Sequence, residues 1–275
     1  MADKQQAIGI FDSGYGGLTV LKEIVKTLPQ YDYIYLGDNA RAPYGSRSFE
    51  TVYEYTLQCV KALFDKGCHL VILACNTASA KALRTIQQKD LPLIDANRRV
   101  LGVIRPTTEI IGNYTKSGKV GVLGTAGTVS SGSYLVEIEK FFPQLNVYQE
   151  ACPMWVPLIE NNEISTPGAD FFIRRHVESL LAKEKNIDAV ILGCTHYPLI
   201  EAQIRKYLPA NVSVLSQGPI VAAGLKDYLL RHPEIEQQCS KEGRLQFFTT
   251  EQPENFDGAA GLFFGSPIRS EHLAL

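Results

Sequence analysis

Two short segments of the chain closely resemble each other, and each contains a cysteine. The first reads HLVILACNTAS over residues 69–79, and the second reads DAVILGCTHYP over residues 188–198. In both, a Val-Ile-Leu run bounded by small and polar residues predicts a strand buried on both faces. Ligands of open parallel sheets bind beyond the carboxyl ends of the strands. We therefore expect Cys75 and Cys194 to occupy equivalent places in two related halves and to face one pocket.

Strand and helix signals alternate along nearly the whole chain. Such alternation is typical of parallel βαβ units, so the sequence predicts an α/β fold with mostly parallel sheets flanked by helices. The predicted strands are Ala7–Phe11, Tyr33–Leu36, Leu70–Leu73, Val120–Leu123, Leu145–Tyr148 and Ala189–Leu192, and the predicted helices are Leu18–Leu28, Val52–Leu63, Val129–Phe142 and Ile173–Leu180.

The strand pattern restarts midway through the chain, which indicates an internal duplication. Ile8-Gly-Ile-Phe resembles Val120-Gly-Val-Leu, and each half then reaches its cysteine strand. The tail from about Val212 is long enough to return and complete the first half. We expect two similar, pseudo-symmetric domains with the site at their interface. The N-terminal domain is predicted to be discontinuous, with residues 1–97 and 212–275, and the C-terminal domain to span residues 98–211.

Composition restricts the partners and the compartment. The 275 residues carry a net charge of −2 without a long block of one sign, which favours neither nucleic acid nor an anionic membrane surface. No run approaches the ~20 apolar residues of a membrane span. The start MADKQQAIGIF has no apolar signal region. The six cysteines form no CxxC pair, which favours reduced thiols, so we expect a cytoplasmic protein.

Cys75 and Cys194 are the candidate acid and base. A single cysteine on a strand is usually a small buried hydrophobe, but polar side chains follow both of these residues. An unperturbed thiol has a pKa of ~8.5, so a thiol base needs help from its surroundings. Asp12, at the end of the first strand, and His196, two residues after Cys194, are the candidates to give it. The other cysteines keep the structural interpretation: Cys59, Cys68, Cys152 and Cys239.

Glycine-containing turns follow the first strand of each half, at residues 12–17 and 124–128. Glycines there allow a tight turn and a close approach of the backbone to a ligand. A dinucleotide site is an alternative, because Asp38 ends the next strand like a ribose-binding acid, but the third glycine of the fingerprint is missing. We favour a turn that binds a carboxylate or an amine. The first turn carries Asp12 and Ser13 for this purpose, and the second offers the hydroxyls of Thr125 and Thr128.

The sequence gives little support for a metal or a cofactor. HExxH, a Walker loop and GxSxG are absent, and Cys194 and His196 form the only Cys/His pair separated by one residue. No lysine is singled out as a Schiff-base residue for pyridoxal phosphate. The loop at residues 37–45 is either a structural turn or a backbone-lined wall of the pocket. We therefore expect no metal and no cofactor.

Several longer motifs occur together and in order: FDSGYGGLTVLKEI, YLGDNARAPYGSRS, ACNTASA, GTAGTVSSGSY, ACPMWVPLIE and GCTHYPLI. In these motifs the chain resembles the bacterial glutamate racemase family, within the aspartate/glutamate racemase superfamily, nearly from end to end. The resemblance implies two similar α/β domains with the active site between them. It also implies a homodimer that interconverts L- and D-glutamate without a cofactor and supplies D-glutamate for peptidoglycan, and hence for cell-wall biogenesis and cell shape.

The resemblance also implies roles for single residues. Cys75 would take the α-proton from D-glutamate with help from Asp12, and Cys194 would take it from L-glutamate with help from His196. Nine residues would hold the amino and carboxylate groups of the substrate: Ser13, Pro43, Tyr44, Gly45, Asn76, Thr77, Thr125, Thr128 and Thr195.

The resemblance does not define the role of every matching residue, and two segments depart from the family pattern. Asp38 and Glu160 match family acids of less defined function. The chain departs from the usual family pattern at residues 103–108 and 215–218, which lie outside the catalytic set. These departures mean that the dimer contacts and the regulation of relatives do not carry over directly to this chain. Three other functions compete with glutamate racemisation. They are racemisation of aspartate or another acidic amino acid, binding of an amino acid without catalysis, and a one-thiol amidohydrolase reaction.

Overall fold

The two cysteine strands belong to two separate sheets, each parallel throughout. The computed structural model describes residues 6–275. Residues 1–5 lie outside the described residues. The predicted start of the N-terminal domain and the predicted absence of a signal region both concern this segment. The strands are β1 (Ile8–Asp12), β2 (Tyr33–Gly37), β3 (Leu70–Leu73), β4 (Arg99–Gly102), β5 (Lys119–Gly124), β6 (Asn146–Ala151), β7 (Ala189–Gly193), β8 (Ser213–Leu215), β9 (Leu245–Thr249) and β10 (Ser270–His272).

Six strands form the first sheet and four form the second. The order is β10-β9-β2-β1-β3-β4 in the first sheet and β6-β5-β7-β8 in the second, and neighbouring strands are parallel in both. Every residue of β1, β2, β3 and β7 is buried, which confirms the prediction of strands covered on both faces. The tail does return to the first half, where β9 pairs with β2.

Helices connect successive strands, as the βαβ pattern predicts. They are α1 (Gly17–Thr27), α2 (Phe49–Asp65), α3 (Asn76–Lys81), α4 (Leu83–Thr85), α5 (Leu91–Ile94), α6 (Ile104–Thr108), α7 (Ala126–Ser130), α8 (Ser133–Phe141), α9 (Trp155–Glu160), α10 (Pro167–Lys183), α11 (Glu201–Arg205), α12 (Gln217–Arg231), α13 (Pro233–Glu236) and α14 (Pro253–Phe264). Short 3₁₀ turns lie at Asn39–Arg41, Ile111–Asn113 and Tyr197–Ile200, and a π-helical segment lies at Ile86–Asp90.

Local chemistry explains where several helices begin and end. The Ser48 hydroxyl accepts a hydrogen bond from the backbone N–H of Thr51 and so caps α2. Helix α1 ends just before Pro29, which cannot continue a helix because it lacks the backbone N–H. Within the described chain, no helix is both long and apolar enough to cross a lipid bilayer.

The structure differs from the sequence-based prediction at two places. The predicted helix Val129–Phe142 is two helices, because Gly132 adopts a positive φ of 65° between α7 and α8. Strand β4 was not predicted, since its charged first residue, Arg99, ends a polar stretch.

The two sheets also bear on the expected domain edges. Strand β4 follows the first edge, at 97/98, but pairs with β3 in the first sheet. Strand β8 follows the second edge, at 211/212, but pairs with β7 in the second sheet. The chain therefore crosses between sheets after β4 and again after β8. The discontinuous division into domains stays a prediction.

Candidate active site

A cavity of about 120 Å³ is lined by residues that follow strands of both sheets. Cys75 follows β3 of the first sheet, and Cys194 follows β7 of the second. Both thiols line the cavity, although each residue is only 6 % exposed. The structure therefore places the two cysteines at one site, as the repeated segments indicate.

Cys75 is surrounded by weak donors and by a carboxyl group. Its Sγ lies 3.3 Å from the Ser13 hydroxyl and 3.4 Å from the backbone N–H of Ala78, which donates to it at the start of α3. Burial, followed by the nearby Asp12 carboxylate, raises the pKa of Cys75 to about 12, and the two donors offset this in part. At neutral pH Cys75 is therefore a protonated thiol.

Cys194 is the first of three hydrogen-bonded side chains that all line the cavity, followed by His196 and Glu160. Its Sγ lies 3.8 Å from His196 Nδ1, and His196 Nε2 lies 2.8 Å from Glu160 Oε1. Burial disfavours the charged imidazole, but the hydrogen bonds with Cys194 and Glu160 outweigh it and raise the pKa of His196 to about 10. The imidazole is therefore cationic at neutral pH. A cation thus lies beside the Cys194 sulfur, whereas a carboxylate lies near that of Cys75.

Asp12 lies behind the cavity wall and does not line it. Its Oδ2 accepts the backbone N–H of Gly14 at 3.0 Å, and its Oδ1 is buried without a hydrogen-bond partner among the described residues. Burial raises the pKa of Asp12 to about 6, against the opposing charge of His196. Near pH 7 Asp12 is therefore mostly ionised, and it acts on Cys75 through its charge.

Hydroxyl groups of both halves meet at one side of the cavity. The Thr77 Oγ1 lies 3.0 Å from Thr125 Oγ1 and 3.4 Å from Thr128 Oγ1. Thr125 caps α7 by accepting the backbone N–H of Thr128 at 3.2 Å. Thr77 and Thr125 line the cavity, whereas Thr128 lies behind them and is fully buried.

The turn at Pro43, Tyr44 and Gly45 forms another wall, as predicted for the loop after β2. The peptide bond before Pro43 is cis, and the Gly45 carbonyl accepts the backbone N–H of Gly127 from the second half at 2.8 Å. The Tyr44 hydroxyl donates to Asp38, whose carboxylate also accepts from Arg41 at 2.7 Å. Asp38 therefore supports this wall from behind and does not line the cavity.

Asn76 lines the cavity, but its side-chain amide bonds to groups behind it. Its Nδ2 donates to Gln217 Oε1 at 2.5 Å, and its Oδ1 accepts from the Tyr134 hydroxyl at 2.8 Å. Gln217 belongs to the second segment that departs from the family pattern. That segment therefore lies closer to the site than the sequence indicates, next to the residue that follows Cys75.

The two halves also touch closely at the first glycine turn. A Cβ on Gly16 would lie 2.2 Å from Thr195 Oγ1 and 2.4 Å from His196 Nδ1, which leaves room for glycine alone. The Thr19 hydroxyl donates to the Thr195 carbonyl at 2.9 Å across the same contact. The first half thus holds the residues that follow Cys194.

Most of the predicted site residues line the cavity, and the structure adds others. Asp12, Asp38 and Thr128 lie behind the lining. Residues that the sequence did not single out also contribute to the wall: Gly14, Ala42, Ser46, Ala126, Cys152, Pro153, Val156 and Pro157. Cys152 directly follows β6, at the same edge of the second sheet, and this position is a signal that could have identified it. Its thiol remains buried and lies 3.7 Å from the Glu150 carbonyl.

Over residues 6–275, no group of three or more His, Cys, Asp or Glu side chains is arranged to hold a metal ion. Cys194, His196 and Glu160 instead form a hydrogen-bonded row that begins at the cavity.

Comparison with known proteins gives one consistent result. Residues 8–224 match the family described as Asp/Glu/Hydantoin racemase. The chain is 39 % identical over 270 residues to the glutamate racemase of Persephonella marina, and this match covers 98 % of this chain and 97 % of the relative. It is also 39 % identical over 264 residues to the glutamate racemase of Geobacter metallireducens, with 96 % and 94 % of the two chains covered.

Solved structures agree with the sequence comparison. Glutamate racemase isoform RacE1 of Bacillus anthracis superposes with a TM-score of 0.89 at 33 % identity, over 99 % of this chain and 98 % of that one. The glutamate racemase of Francisella tularensis, solved in complex with D-glutamate, gives a TM-score of 0.86 at 31 % identity over 98 % of both chains. The two-sheet α/β fold is therefore the fold of these enzymes.

Proposed function

The chain belongs to the Asp/Glu/Hydantoin racemase family, among the glutamate racemases, and on this premise we propose that it interconverts L- and D-glutamate. In this proposal two cysteines transfer the α-proton, no cofactor takes part, and the D-glutamate is used in peptidoglycan synthesis. The relative that was solved with D-glutamate supports the choice of substrate.

One observation carries the proposal: two thiols from equivalent ends of two sheets face one cavity. Inversion of a carbon centre by proton transfer needs a base on one face and an acid on the other. The two halves supply a thiol each, and their surroundings differ in charge. Cationic His196 adjoins one thiol, and anionic Asp12 lies near the other.

The opposite charges beside the two sulfurs suggest how a turnover begins. With L-glutamate, the thiolate of Cys194 takes the α-proton, so that the C–H bond breaks and an S–H bond forms. The thiol of Cys75 then gives its proton to the opposite face of the carbanion. The product is D-glutamate, and the enzyme is left with a thiol at Cys194 and a thiolate at Cys75. Return of D-glutamate reverses both transfers.

The remaining groups of the cavity would bind the substrate and stabilise the carbanion. The α-proton of an amino acid is weakly acidic, so preorganised donors aimed at the carboxylate are needed. Thr77 and Thr125 offer hydroxyls, and the Pro43–Gly45 turn offers backbone groups. Ser13, Asn76 and Thr195 line the remaining wall.

The test is exchange of the α-proton in D₂O. Purified protein with reduced thiols is incubated with L-glutamate, without added cofactor, and followed by circular dichroism and proton NMR. We expect the optical signal to vanish while deuterium enters the α-carbon, and L-aspartate in parallel to react far more slowly. Glutamate that keeps both its α-proton and its optical signal would contradict the proposal.

Two expectations from the sequence stay predictions. The resemblance implies a homodimer, and the composition favours the cytoplasm.

A further inference from the structure

Gln217 lies behind the cavity where the two chain crossings meet. It begins α12 just after β8, and its Nε2 donates to the carbonyl of Val103, which follows β4, at 3.0 Å. The same nitrogen donates to the Tyr134 hydroxyl at 2.9 Å, while Oε1 accepts from Asn76 at 2.5 Å. The side chain is almost fully buried, with Gln217 only 2 % exposed.

The directions of the bonds that link Val103, Gln217, Asn76 and Tyr134 follow from one backbone carbonyl. The Val103 oxygen can only accept, so the NH₂ of Gln217 must face it. The Gln217 oxygen then faces Asn76, which must present its own NH₂. The Asn76 oxygen is left facing Tyr134, whose hydroxyl donates to it while accepting from Gln217. Reversal of either amide would set two acceptors against each other in a buried site.

This order leaves a donor on Asn76. An amide nitrogen carries two hydrogens, and among the described residues Gln217 is the one partner of Asn76 Nδ2. Asn76 lines the cavity beside Cys75. A reversed Asn76 would offer an oxygen acceptor there, which repels a carboxylate.

We infer that Gln217 is a positioning residue, which holds the Asn76 amide so that it offers an N–H to a substrate carboxylate. The inference rests on the proposed function for the identity of that substrate. Gln217 itself does not line the cavity, so it acts through Asn76.

Two substitutions separate this role from simple packing. Gln217→Met keeps the length but offers no acceptor, so Asn76 is free to reverse. Gln217→Glu still accepts from Asn76, and as a neutral acid it also donates to Val103. The site is buried, which favours the neutral acid. Tyr134, the titratable group bonded to it, stays protonated because burial raises its pKa well above the ordinary value.

The experiment measures D-glutamate affinity by calorimetry, and KM with kcat in both directions, at pH 6 and pH 8. We expect Gln217→Met to weaken binding about ten-fold, the lower end of the effect of one hydrogen bond to a charged group. We expect Gln217→Glu to stay within about three-fold of wild type at pH 6 and to fall behind at pH 8. A packing role predicts the opposite order, with the apolar variant tolerated better.

Two control positions are available, one outside this hydrogen-bonded group and one within it. Gln87 makes the same type of bond, from Nε2 to the Val100 carbonyl at 2.7 Å, outside the cavity lining. Gln87→Met and Gln87→Glu should leave affinity unchanged. Tyr134→Phe leaves the bond between Gln217 and Asn76 in place and should change affinity less than three-fold, on the order of one neutral hydrogen bond. If Gln217→Met does not fold, Tyr134→Phe is compared with Gln217→Glu at pH 6 and pH 8.

The outcomes distinguish the two proposals. If wild-type protein neither binds nor racemises glutamate, the proposed function fails, and this inference fails with it. If wild type is active and Gln217→Met binds as tightly as Gln217→Glu at pH 6, only the role of Gln217 is overturned. A loss in Tyr134→Phe as large as in Gln217→Met would also overturn it.

Discussion

Cys75 and Cys194 end equivalent strands, but their surroundings carry opposite charge. Beside Cys194, the imidazole of His196 has a pKa of about 10 and is held by Glu160, so a cation adjoins the sulfur. Behind Cys75 lies Asp12, which adds to the effect of burial and keeps that thiol protonated. The two halves thus hold two thiols in matching places beside groups of opposite charge.

The difference shows that the position of each sulfur and the charge beside it are specified by different residues. The strand ends bring the sulfurs to one cavity, and this depends on buried Val, Ile and Leu residues that the halves share. The charge at each sulfur depends on residues without a counterpart in the other half, such as His196. In free enzyme, the Cys75 thiol is protonated, whereas the Cys194 sulfur adjoins the cationic imidazole of His196.

Removing each thiol in turn should have the largest effect. We expect Cys75→Ala and Cys194→Ala each to lower racemisation about 10³-fold or more, because each removes one acid–base group. Deuterium exchange should separate the variants. Cys75→Ala keeps Cys194 with the cationic His196 beside it and should still exchange the α-proton of L-glutamate, whereas Cys194→Ala keeps only the protonated Cys75 thiol and should exchange that of D-glutamate much more slowly.

NMR of both enantiomers in D₂O measures these exchange rates. Cys239→Ala is the control, since Cys239 is also buried but does not line the cavity. Equal exchange by the two single-thiol variants would mean that the surroundings do not distinguish the sulfurs. Wild-type turnover in either variant would contradict a two-base reaction.

Replacing Asp12 tests the charge on the Cys75 side through stability. The native pKa of about 6 exceeds the reference value of 3.8, so native protein holds this proton after unfolded protein has lost it. Ionised Asp12 therefore costs stability, increasingly from pH 4 to pH 6 and fully above that range. We expect Asp12→Asn to raise the free energy of unfolding by up to about 3 kcal/mol at pH 8, with little change below pH 4.

Urea denaturation at pH 4 and pH 8 measures this difference. Asp227→Asn is the control, because Asp227 is exposed and paired with Arg231, so its loss should change stability by less than about 0.5 kcal/mol. The same gain for Asp12→Asn at both pH values would show that the effect is not electrostatic.

Replacing Glu160 should have the smallest effect, on the Cys194 side. Glu160→Gln removes a carboxylate that raises the pKa of His196, so the imidazolium should lose its proton at a lower pH. We expect the alkaline limb of the kcat/KM profile to move to lower pH, with about ten-fold less activity near pH 9. Glu163→Gln, at an exposed position nearby, should leave the profile unchanged. If the alkaline limb of the profile does not move in Glu160→Gln, the protonation state of His196 does not control the reaction.

Much of the fold was accessible from the sequence because local patterns agree with the final packing. The run Leu70–Leu73 is a strand in both the prediction and the structure. The break at Gly132 was not predicted, since apolar residues at helical spacing continue across it. Strand β4 was missed because pairing with β3 outweighs the weak strand signal of its sequence.

The site could be predicted in part for the same reason. Strand ends and glycine turns identify residues that lie near a ligand, and most of these line the cavity. They do not give the direction of a side chain. Asn76 bonds to Gln217 through a contact between segments far apart in the chain, and no local pattern encodes it. Cys152 required knowledge of which strands are neighbours in the second sheet.

The double crossing of the chain has a consequence for synthesis on the ribosome. Strands β5 to β8 come from one continuous stretch, residues 119–215, so the second sheet is complete as soon as that stretch has emerged. The first sheet starts earlier but must wait, because β2 pairs with β9 near the end of the chain. Until then β2 is an open sheet edge on the nascent chain, where another strand can add. The half that is made first is therefore finished last.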